Sequence, residues 1–213
     1  MRASRKIRKQ ETPTFVFVVD GETEFWYIQM LKRNERHINL KVEPKIPNKK
    51  TVEAQYSQVV DLSKSEYSKV FWLVDLDTII KESNEVPKGK NTPLSTFISL
   101  RKKLMQEHQN VEVIVNNPCL EFWFLLHFKN TSRFFDTCIK AETELKKYLN
   151  DYEKTQKYFT KQGNDIYLRL KQHLKTAILN ADGLGSFDSD EQTKAVCEMS
   201  ALFQTNELRV LIE

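Results

Sequence analysis

The hydrophobic pattern predicts four strands in the first 115 residues. Thr14 to Val19 and Val70 to Val74 are short apolar runs rich in β-branched and aromatic residues, and Val111 to Val115 is a further predicted strand. Continuous runs of this length are typical of strands buried on both faces of a parallel sheet. From Ile38 to Val42 apolar and polar residues alternate, which predicts a second, more exposed strand.

Helices are predicted between these strands. Thr23 is placed to cap a helix after the first strand, and Thr51 to Ser63 and Ser95 to about His108 also have helical patterning. The polar segment from Lys81 to Pro93 is predicted to be a surface loop. Strands that alternate with helices indicate an α/β fold with a mostly parallel sheet flanked by helices.

Beyond Pro118 the pattern is helical almost to the end. Predicted helices run from Ala141 to Tyr152 and from Asp165 to Ala181, and Gly183 to Asp190 reads as a linker. We therefore expect a basic N-terminal arm (1–12), an α/β core (13–130) and a helical C-terminal extension packed on the core (131–213).

Composition narrows the class of protein. A chain of 213 residues with 40% hydrophobic and 29% charged residues has enough apolar surface for a full core, which excludes fibrous and wholly disordered classes. Its three cysteines show no CxxC spacing, so neither a disulfide framework nor a zinc site is expected. No apolar run approaches the roughly 18 residues of a membrane span. We expect a cytoplasmic protein with no membrane contact.

Basic residues give two open interpretations. The net charge is only +4, but the N-terminal arm holds a run of five basic residues: Arg2, Arg5, Lys6, Arg8 and Lys9. Such an arm could contact phosphates, or it could be a solvated tail. The same two interpretations apply to Lys45, Lys49 and Lys50.

Acidic residues follow two of the predicted strands. Asp20-Gly21-Glu22 comes after the first, and Asp75-Leu76-Asp77 after Val74. The carboxyl ends of parallel strands meet at the edge of the sheet where ligands bind, and residues two apart in an extended chain share a face. Two carboxylates about 4 Å apart repel by roughly 4 kcal/mol at an effective dielectric near 20.

A hard divalent cation would remove that repulsion. Mg²⁺ takes carboxylate oxygens together with water and substrate phosphate, which predicts Asp20, Asp75 and Asp77 as metal ligands. The alternative is that these acids only cap helices and start turns.

A third block runs from Asn116 to Phe128. Asn117 as N-cap and Pro118 at the first helical position predict a helix start, and Glu121 then interrupts an apolar, aromatic helix. A carboxylate in such surroundings must reach the surface, be paired, or act at a site. Pairing and a role at the site both stay open.

Together these blocks resemble the RloB family, whose members include the AbiLii component of abortive-infection phage defence. The resemblance spans most of the chain and lies in Asp20-Gly21-Glu22-Thr23-Glu24 with Tyr27, in Val74-Asp75-Leu76-Asp77, and in Asn117-Pro118-Cys119-Leu120-Glu121-Phe122-Trp123 through Phe128. It implies a Toprim-like fold, a Mg²⁺ ion with Mn²⁺ as substitute, and phosphodiester cleavage of nucleic acid.

The resemblance also implies roles for individual residues. Toprim-type nucleases usually carry Glu where this chain has Asp20, which is one methylene shorter. Either Asp20 approaches the metal more closely, or Glu22 or Glu24 takes over the acid–base role. The implied catalytic residues are Asp20, Glu22, Glu24 and Glu121.

Three functions compete at this stage. The first is a Mg²⁺-dependent nuclease that serves as effector in phage defence, with an ATPase partner implied by the resemblance and a homo-oligomer left open. The second is a non-catalytic module that binds a nucleotide or metal and regulates a defence system. A phosphotransferase or phosphatase of small molecules ranks last, because the chain has no glycine-rich phosphate loop.

Overall fold

The sheet confirms the predicted α/β fold. A computed structural model describes residues 12–38, 41–46 and 51–212. In these residues the strands form one mostly parallel sheet of order β2-β1-β3-β4-β5, in which only β5 runs antiparallel to its neighbour. The strands are β1 (Thr14–Val18), β2 (Lys41–Lys45), β3 (Lys69–Asp75), β4 (Val111–Asn117) and β5 (Val196–Cys197).

Helices cover both faces of this sheet. In chain order they are α1 (Glu22–Asn34), α2 (Val52–Ser63), α3 (Leu76–Asn84), α4 (Pro93–Glu107), α5 (Leu120–Leu126), α6 (Cys138–Leu145), α7 (Gln156–Phe159), α8 (Ile166–Lys171), α9 (Leu174–Asp182) and α10 (Ser200–Phe203), followed by a 3₁₀ turn (Arg209–Leu211).

Alternation along the strands divides the interior into two cores. Phe15 and Phe17 of β1 pack with α1, α5 and the C-terminal helices, whereas Val16 and Val18 pack with α2 and α4. Both sets are fully buried, as expected for a strand that is apolar on each face. The continuous apolar run from Thr14 to Val19 therefore indicates a central strand.

The strand order places a crevice between β1 and β3. From β1 the chain crosses to β2 on one side, and then returns to β3 on the other side of β1. Ligands of open α/β sheets bind beyond the carboxyl ends of the strands at such a reversal. Asp20 follows β1 and Asp75 ends β3, so both acids lie at this point.

Several predicted element boundaries are wrong. Gly21 and not Thr23 precedes α1. Strand β2 runs to Lys45, beyond the predicted end at Val42, because an edge strand tolerates Pro44, which has no N–H to donate. The predicted loop from Lys81 to Pro93 begins inside α3, whose helical spacing of Leu76, Ile79 and Ile80 was hidden by charged neighbours.

Asn117 does not cap a helix. It is the last residue of β4 and pairs with Val196 of β5. Its side-chain amide donates hydrogen bonds to the backbone carbonyls of Gln192 and Lys194, and the Asn117–Pro118 peptide is cis. The N-cap of α5 is Cys119, so the helix begins two residues later than predicted.

The cysteine prediction is also wrong, because Cys119 and Cys138 form a disulfide. The third cysteine, Cys197, is buried and free. Disulfides are rare in the cytosol, so the cysteines do not support the expected cytoplasmic location. None of the helices in the described residues is long and apolar enough to cross a membrane.

The C-terminal residues pack on the core as helices, with β5 as an unpredicted strand. The predicted helix from Asp165 to Ala181 is two helices, α8 and α9, and α6 begins before Ala141 and ends at Leu145. Asp165 is fully buried and accepts hydrogen bonds from the side chains of Arg33 and Asn34 in α1, at 2.6 and 3.0 Å. This contact fixes the extension to the first helix of the core.

Candidate active site

Asp75 occupies the carboxyl end of β3. One of its oxygens, Oδ2, accepts a hydrogen bond of 3.2 Å from the backbone N–H of Leu120 in α5. The other, Oδ1, lies 3.4 Å from Nδ2 of Asn116, the neighbouring residue of β4. Strand β4 and the start of α5 thus hold the carboxylate at the crevice between β1 and β3.

Other carboxylates surround Asp75. Burial and the nearby charge of Glu24 raise the pKa of Asp75 well above its usual range. The charges of Glu121 and Asp20 act in the same direction. The structure therefore brings together four acids that are separated by up to 101 positions in the sequence, from Asp20 to Glu121.

Glu24 is the buried member of the acidic pair in the first turn of α1. Only 4% of Glu24 is exposed, whereas Glu22 is exposed to solvent. Burial, followed by the charge of Glu121, raises the pKa of Glu24 to about 7. A side chain that titrates near neutral pH is suited to accept and donate protons. Of the two acids, Glu24 fits an acid–base role.

Asp20 is held by α2, which packs on the face of the sheet opposite to α1 and α5. Its Oδ1 accepts a hydrogen bond of 3.1 Å from the side-chain amide of Gln55 in α2. The carbonyl of Gln55 in turn accepts a bond of 2.7 Å from the indole N–H of Trp72 in β3. Because Gln55 and Trp72 are buried, this chain of hydrogen bonds fixes the carboxylate of Asp20.

Glu121 is paired with residues of the C-terminal extension. Its Oε1 accepts a hydrogen bond of 2.7 Å from the hydroxyl of Tyr152 and lies 2.8 Å from the ammonium of Lys154. Glu121 is only 1% exposed, so these contacts offset the cost of burying its charge. The pairing that the sequence left open is therefore present, in a carboxylate that also acts on Asp75 and Glu24.

The disulfide borders the acidic cluster. Oε2 of Glu121 lies 2.8 Å from Sγ of Cys138. This is a close contact and not a hydrogen bond, because a disulfide sulfur carries no proton to donate. The backbone N–H of Cys138 also donates to Oδ2 of Asp77 at 3.0 Å. The start of α6 thus touches two of the predicted site residues.

Asp77 is not arranged as the sequence suggested. The expectation that Asp75 and Asp77 share one face of an extended chain is wrong, because α3 begins at Leu76. Oδ1 of Asp77 accepts from the backbone N–H of Thr78 at 2.8 Å, in addition to the bond from Cys138. Asp77 stays a predicted ligand, with both oxygens already in hydrogen bonds.

The basic residues proposed to meet phosphates lie mostly outside the described residues. Residues 1–11 of the arm, Lys49 and Lys50 belong to this group. Lys45 is described at the end of β2, where it lies 4.0 Å from Glu43 and over the ring of Tyr67.

A model of the family described as RloB-like protein matches residues 15–205, which is most of the chain. The chain belongs to the RloB-like family. The matched region contains all four acids of the cluster and both cysteines of the disulfide. No curated protein and no solved structure matches the chain.

The donor set of this RloB-like chain suits a hard cation. Mg²⁺ prefers oxygen and keeps several water ligands, so it does not need three carboxylates in contact with one another. Asn116 adds a buried side-chain oxygen, Oδ1, that has no hydrogen-bond partner among the described residues. Asp75, Asp20 and Asn116 therefore present the oxygen chemistry that Mg²⁺ or Mn²⁺ binds.

Close grouping of ligand atoms is found elsewhere. Within the described ranges, one set of three His, Cys, Asp or Glu residues has its ligand atoms all within 4.8 Å of one another, and it is Cys119, Glu121 and Cys138. Their sulfur atoms are bonded to each other, so they are not thiolate ligands in this state. No three of the acids around Asp75 are grouped so closely among the described residues.

Sequence reasoning missed Tyr152, Lys154 and Gln55. Tyr152 and Lys154 lie in a Lys- and Glu-rich stretch where nothing in the local pattern marks a site residue. Gln55 carried a usable signal, because it is a polar residue at a buried position of α2.

Proposed function

We propose that the chain is a Mg²⁺-dependent nuclease that cleaves phosphodiester bonds of DNA or RNA as an effector of phage defence. Membership in the RloB-like family is consistent with a defence-related role. The observation that carries the proposal is the convergence of Asp20, Glu24, Asp75 and Glu121 at the strand reversal, where burial and mutual repulsion raise the pKa of Asp75.

Asp20 and Asp75 would hold the ion. Both residues follow neighbouring parallel strands, β1 and β3, so their carboxylates lie at the same edge of the sheet. A bound Mg²⁺ supplies Lewis-acid polarisation of a phosphate oxygen and lowers the pKa of a bound water. The hydrogen bonds from Gln55 and Leu120 orient the two carboxylates before any ligand arrives.

Glu24 would exchange the proton of the attacking water. Its pKa of about 7 leaves a substantial fraction ionised, and thus able to accept a proton, at neutral pH. The charge of Glu121 is paired with that of Lys154, so its role is to hold that lysine and Tyr152 beside the acidic cluster. Glu22, which is exposed, stays the alternative acid–base residue to Glu24.

A non-catalytic metal or nucleotide sensor is the second candidate. The wide spacing of the acids around Asp75 favours it, because a binding module needs no water aligned for attack. In this alternative the chain binds Mg²⁺ without cleaving nucleic acid. An ATPase partner belongs to the proposal through the family resemblance, and a cytoplasmic location belongs to it as the compartment predicted from composition.

A cleavage assay separates the two candidates. The purified chain, alone and with its ATPase partner, is incubated with a mixture of end-labelled DNA and RNA in Mg²⁺, in Mn²⁺ and in EDTA. The nuclease proposal predicts products with either ion and none in EDTA, and their loss in Glu24→Gln. Mg²⁺ binding without products, in every substrate and with the partner present, would favour the sensor.

A further inference from the structure

Lys154 brings a positive charge to the acidic cluster from the C-terminal extension. It lies in the turns between α6 and α7, far in sequence from the strands that carry the acids. Its Nζ lies 2.8 Å from Oε1 of Glu121 and 3.3 Å from Sγ of Cys138. The charge of Lys154 also acts on Glu24 and on Asp75.

The lysine is only partly enclosed. Its side chain is 39% exposed, whereas that of Glu121 is 1% exposed. An ammonium has three N–H donors, and Glu142, the other acid near it, lies 3.9 Å away, beyond hydrogen-bond distance. The ammonium therefore contacts the buried carboxylate, while the exposed part of the side chain leaves access for a further ligand.

The acidic cluster repels a phosphodiester that approaches the crevice. Asp20, Glu24, Asp75 and Glu121 all repel a phosphate when they are ionised. A lysine ammonium is a compact point charge that commonly binds phosphate in proteins. Burial opposes the charged form of Lys154, but the carboxylate of Glu121 prevails and raises the pKa of Lys154, which keeps it cationic.

From this arrangement we infer that Lys154 binds a phosphate of the nucleic-acid substrate, with Glu121 and Tyr152 as its positioning residues. The inference rests on the proposed nuclease function and adds a substrate contact to it. A purely structural alternative is that the Lys154–Glu121 pair only fastens the extension to α5. The two differ in whether the ammonium touches the ligand.

Nucleic-acid binding without metal distinguishes them. Anisotropy of a labelled oligonucleotide is measured in EDTA at several salt concentrations for wild type, Lys154→Met, Lys154→Arg and Lys157→Met. Each phosphate contact contributes about 0.9 to the slope of log affinity against log salt for duplex DNA, or about 0.7 for single strands. Lys157 is a matched control, because it is an exposed lysine three residues further along the chain.

We expect Lys154→Met to reduce the slope by about one contact and to weaken binding about 3- to 10-fold. Lys154→Arg should keep the slope, since it keeps the charge, and Lys157→Met should match wild type. Thermal melts establish that each variant is folded. Should Lys154→Met destabilise the chain too far, Lys154→Gln removes the charge but keeps a hydrogen-bond donor for Glu121, and it should show the same loss of slope.

Two results would overturn the inference: a wild-type slope and affinity in Lys154→Met, or a wild type that binds no nucleic acid at all. The proposed function fails separately. A chain that binds nucleic acid through Lys154 but cleaves nothing in Mg²⁺ keeps this inference and loses the nuclease. A chain that cleaves nucleic acid in Mg²⁺ but binds it equally well in Lys154→Met keeps the nuclease and loses this inference.

Discussion

Gly21 leaves the space that the carboxylate of Glu24 occupies. A Cβ atom at Gly21 would lie 3.2 Å from Oε2 of Glu24, which is closer than ordinary van der Waals contact. The φ angle of Gly21 is −151°, a value any residue adopts, so a side chain here would act on Glu24 through the close approach and not through backbone strain. The Asp-Gly pair after β1 therefore serves the site through Glu24 as well as through Asp20.

Gly21→Ala should displace Glu24 while leaving the fold intact. We expect cleavage to fall about 10-fold or more, because small misplacement of a reacting group is costly, and the melting temperature to change little. Parallel activity assays and melts check this. Gly183→Ala is the control, since its added methyl meets only ordinary contacts of 3.5 Å. Equal activity of Gly21→Ala and wild type would show that Glu24 needs no such space.

The stability of the metal-free chain should fall as pH rises from about 4.5 to about 7. The pKa of Glu24 is raised from its ordinary 4.5 to about 7, so in this window the folded chain binds more protons than the unfolded chain. The penalty is complete above pH 7 and on the order of 3 kcal/mol. Glu24→Gln should remove it, making the variant more stable than wild type at pH 8 but not at pH 4.

Urea unfolding in EDTA across this pH range measures the effect. Glu22→Gln is a matched control, because Glu22 lies two residues earlier in the same turn and is exposed. If Glu24→Gln and wild type show parallel stability curves from pH 4 to pH 8, the buried, mutually repelling cluster is refuted.

The disulfide should contribute to stability. Cys119 and Cys138 are 19 residues apart, and closing a loop of that size restricts the unfolded chain by about 3 kcal/mol in the chain-entropy account. Dithiothreitol should therefore lower the melting temperature of wild type. A Cys119→Ser, Cys138→Ser double variant should melt at one temperature with or without reductant. Identical melts of oxidised and reduced wild type would argue against the bond.

The docking of the extension should depend on Asp165. This buried carboxylate pairs with Arg33 and Asn34 of α1 and caps α8 through the N–H of Leu168. Asp165→Ala should cost about 3 kcal/mol or more of unfolding free energy, because it breaks a buried pair. Asp151→Ala should cost less than about 1 kcal/mol, since the Asp151 side chain is 55% exposed whereas that of Asp165 is fully buried. Similar costs in urea unfolding would contradict this view of the docking.

The sequence predicted the central strands because burial on both faces requires a continuous apolar run, which can be recognised directly. Val70 to Val74 is continuous and apolar because successive residues face different cores, and the acid at its end marks the edge of the sheet. Glu121 was found for a similar reason, as a charge in an apolar helix. Such signals are local, so they can be recognised without knowledge of the fold.

The partners of these acids left no local signal. Lys154 contacts Glu121 only because the extension folds back on α5. In the sequence nothing distinguishes Lys154 from the charged residues around it. The Cys119–Cys138 bond likewise depends on where α6 begins relative to α5. Asp77 was assigned an extended geometry because Asp75 was interpreted only as the end of a strand, whereas it is also the N-cap of α3, with its side chain bonded to Leu120 and not to the helix start.

The metal site at the strand reversal is the central claim, and Asp75→Asn tests it most directly. Thermal melts of wild type, Asp75→Asn and Asp61→Asn are recorded in EDTA and in Mg²⁺, with Asp61 as an exposed aspartate of α2. Mg²⁺ should stabilise wild type and Asp61→Asn by mass action. Asp75→Asn should gain nothing from the ion and should melt at or above the wild-type temperature in EDTA, because repulsion is relieved. Equal stabilisation of Asp75→Asn and wild type by Mg²⁺ would contradict the site.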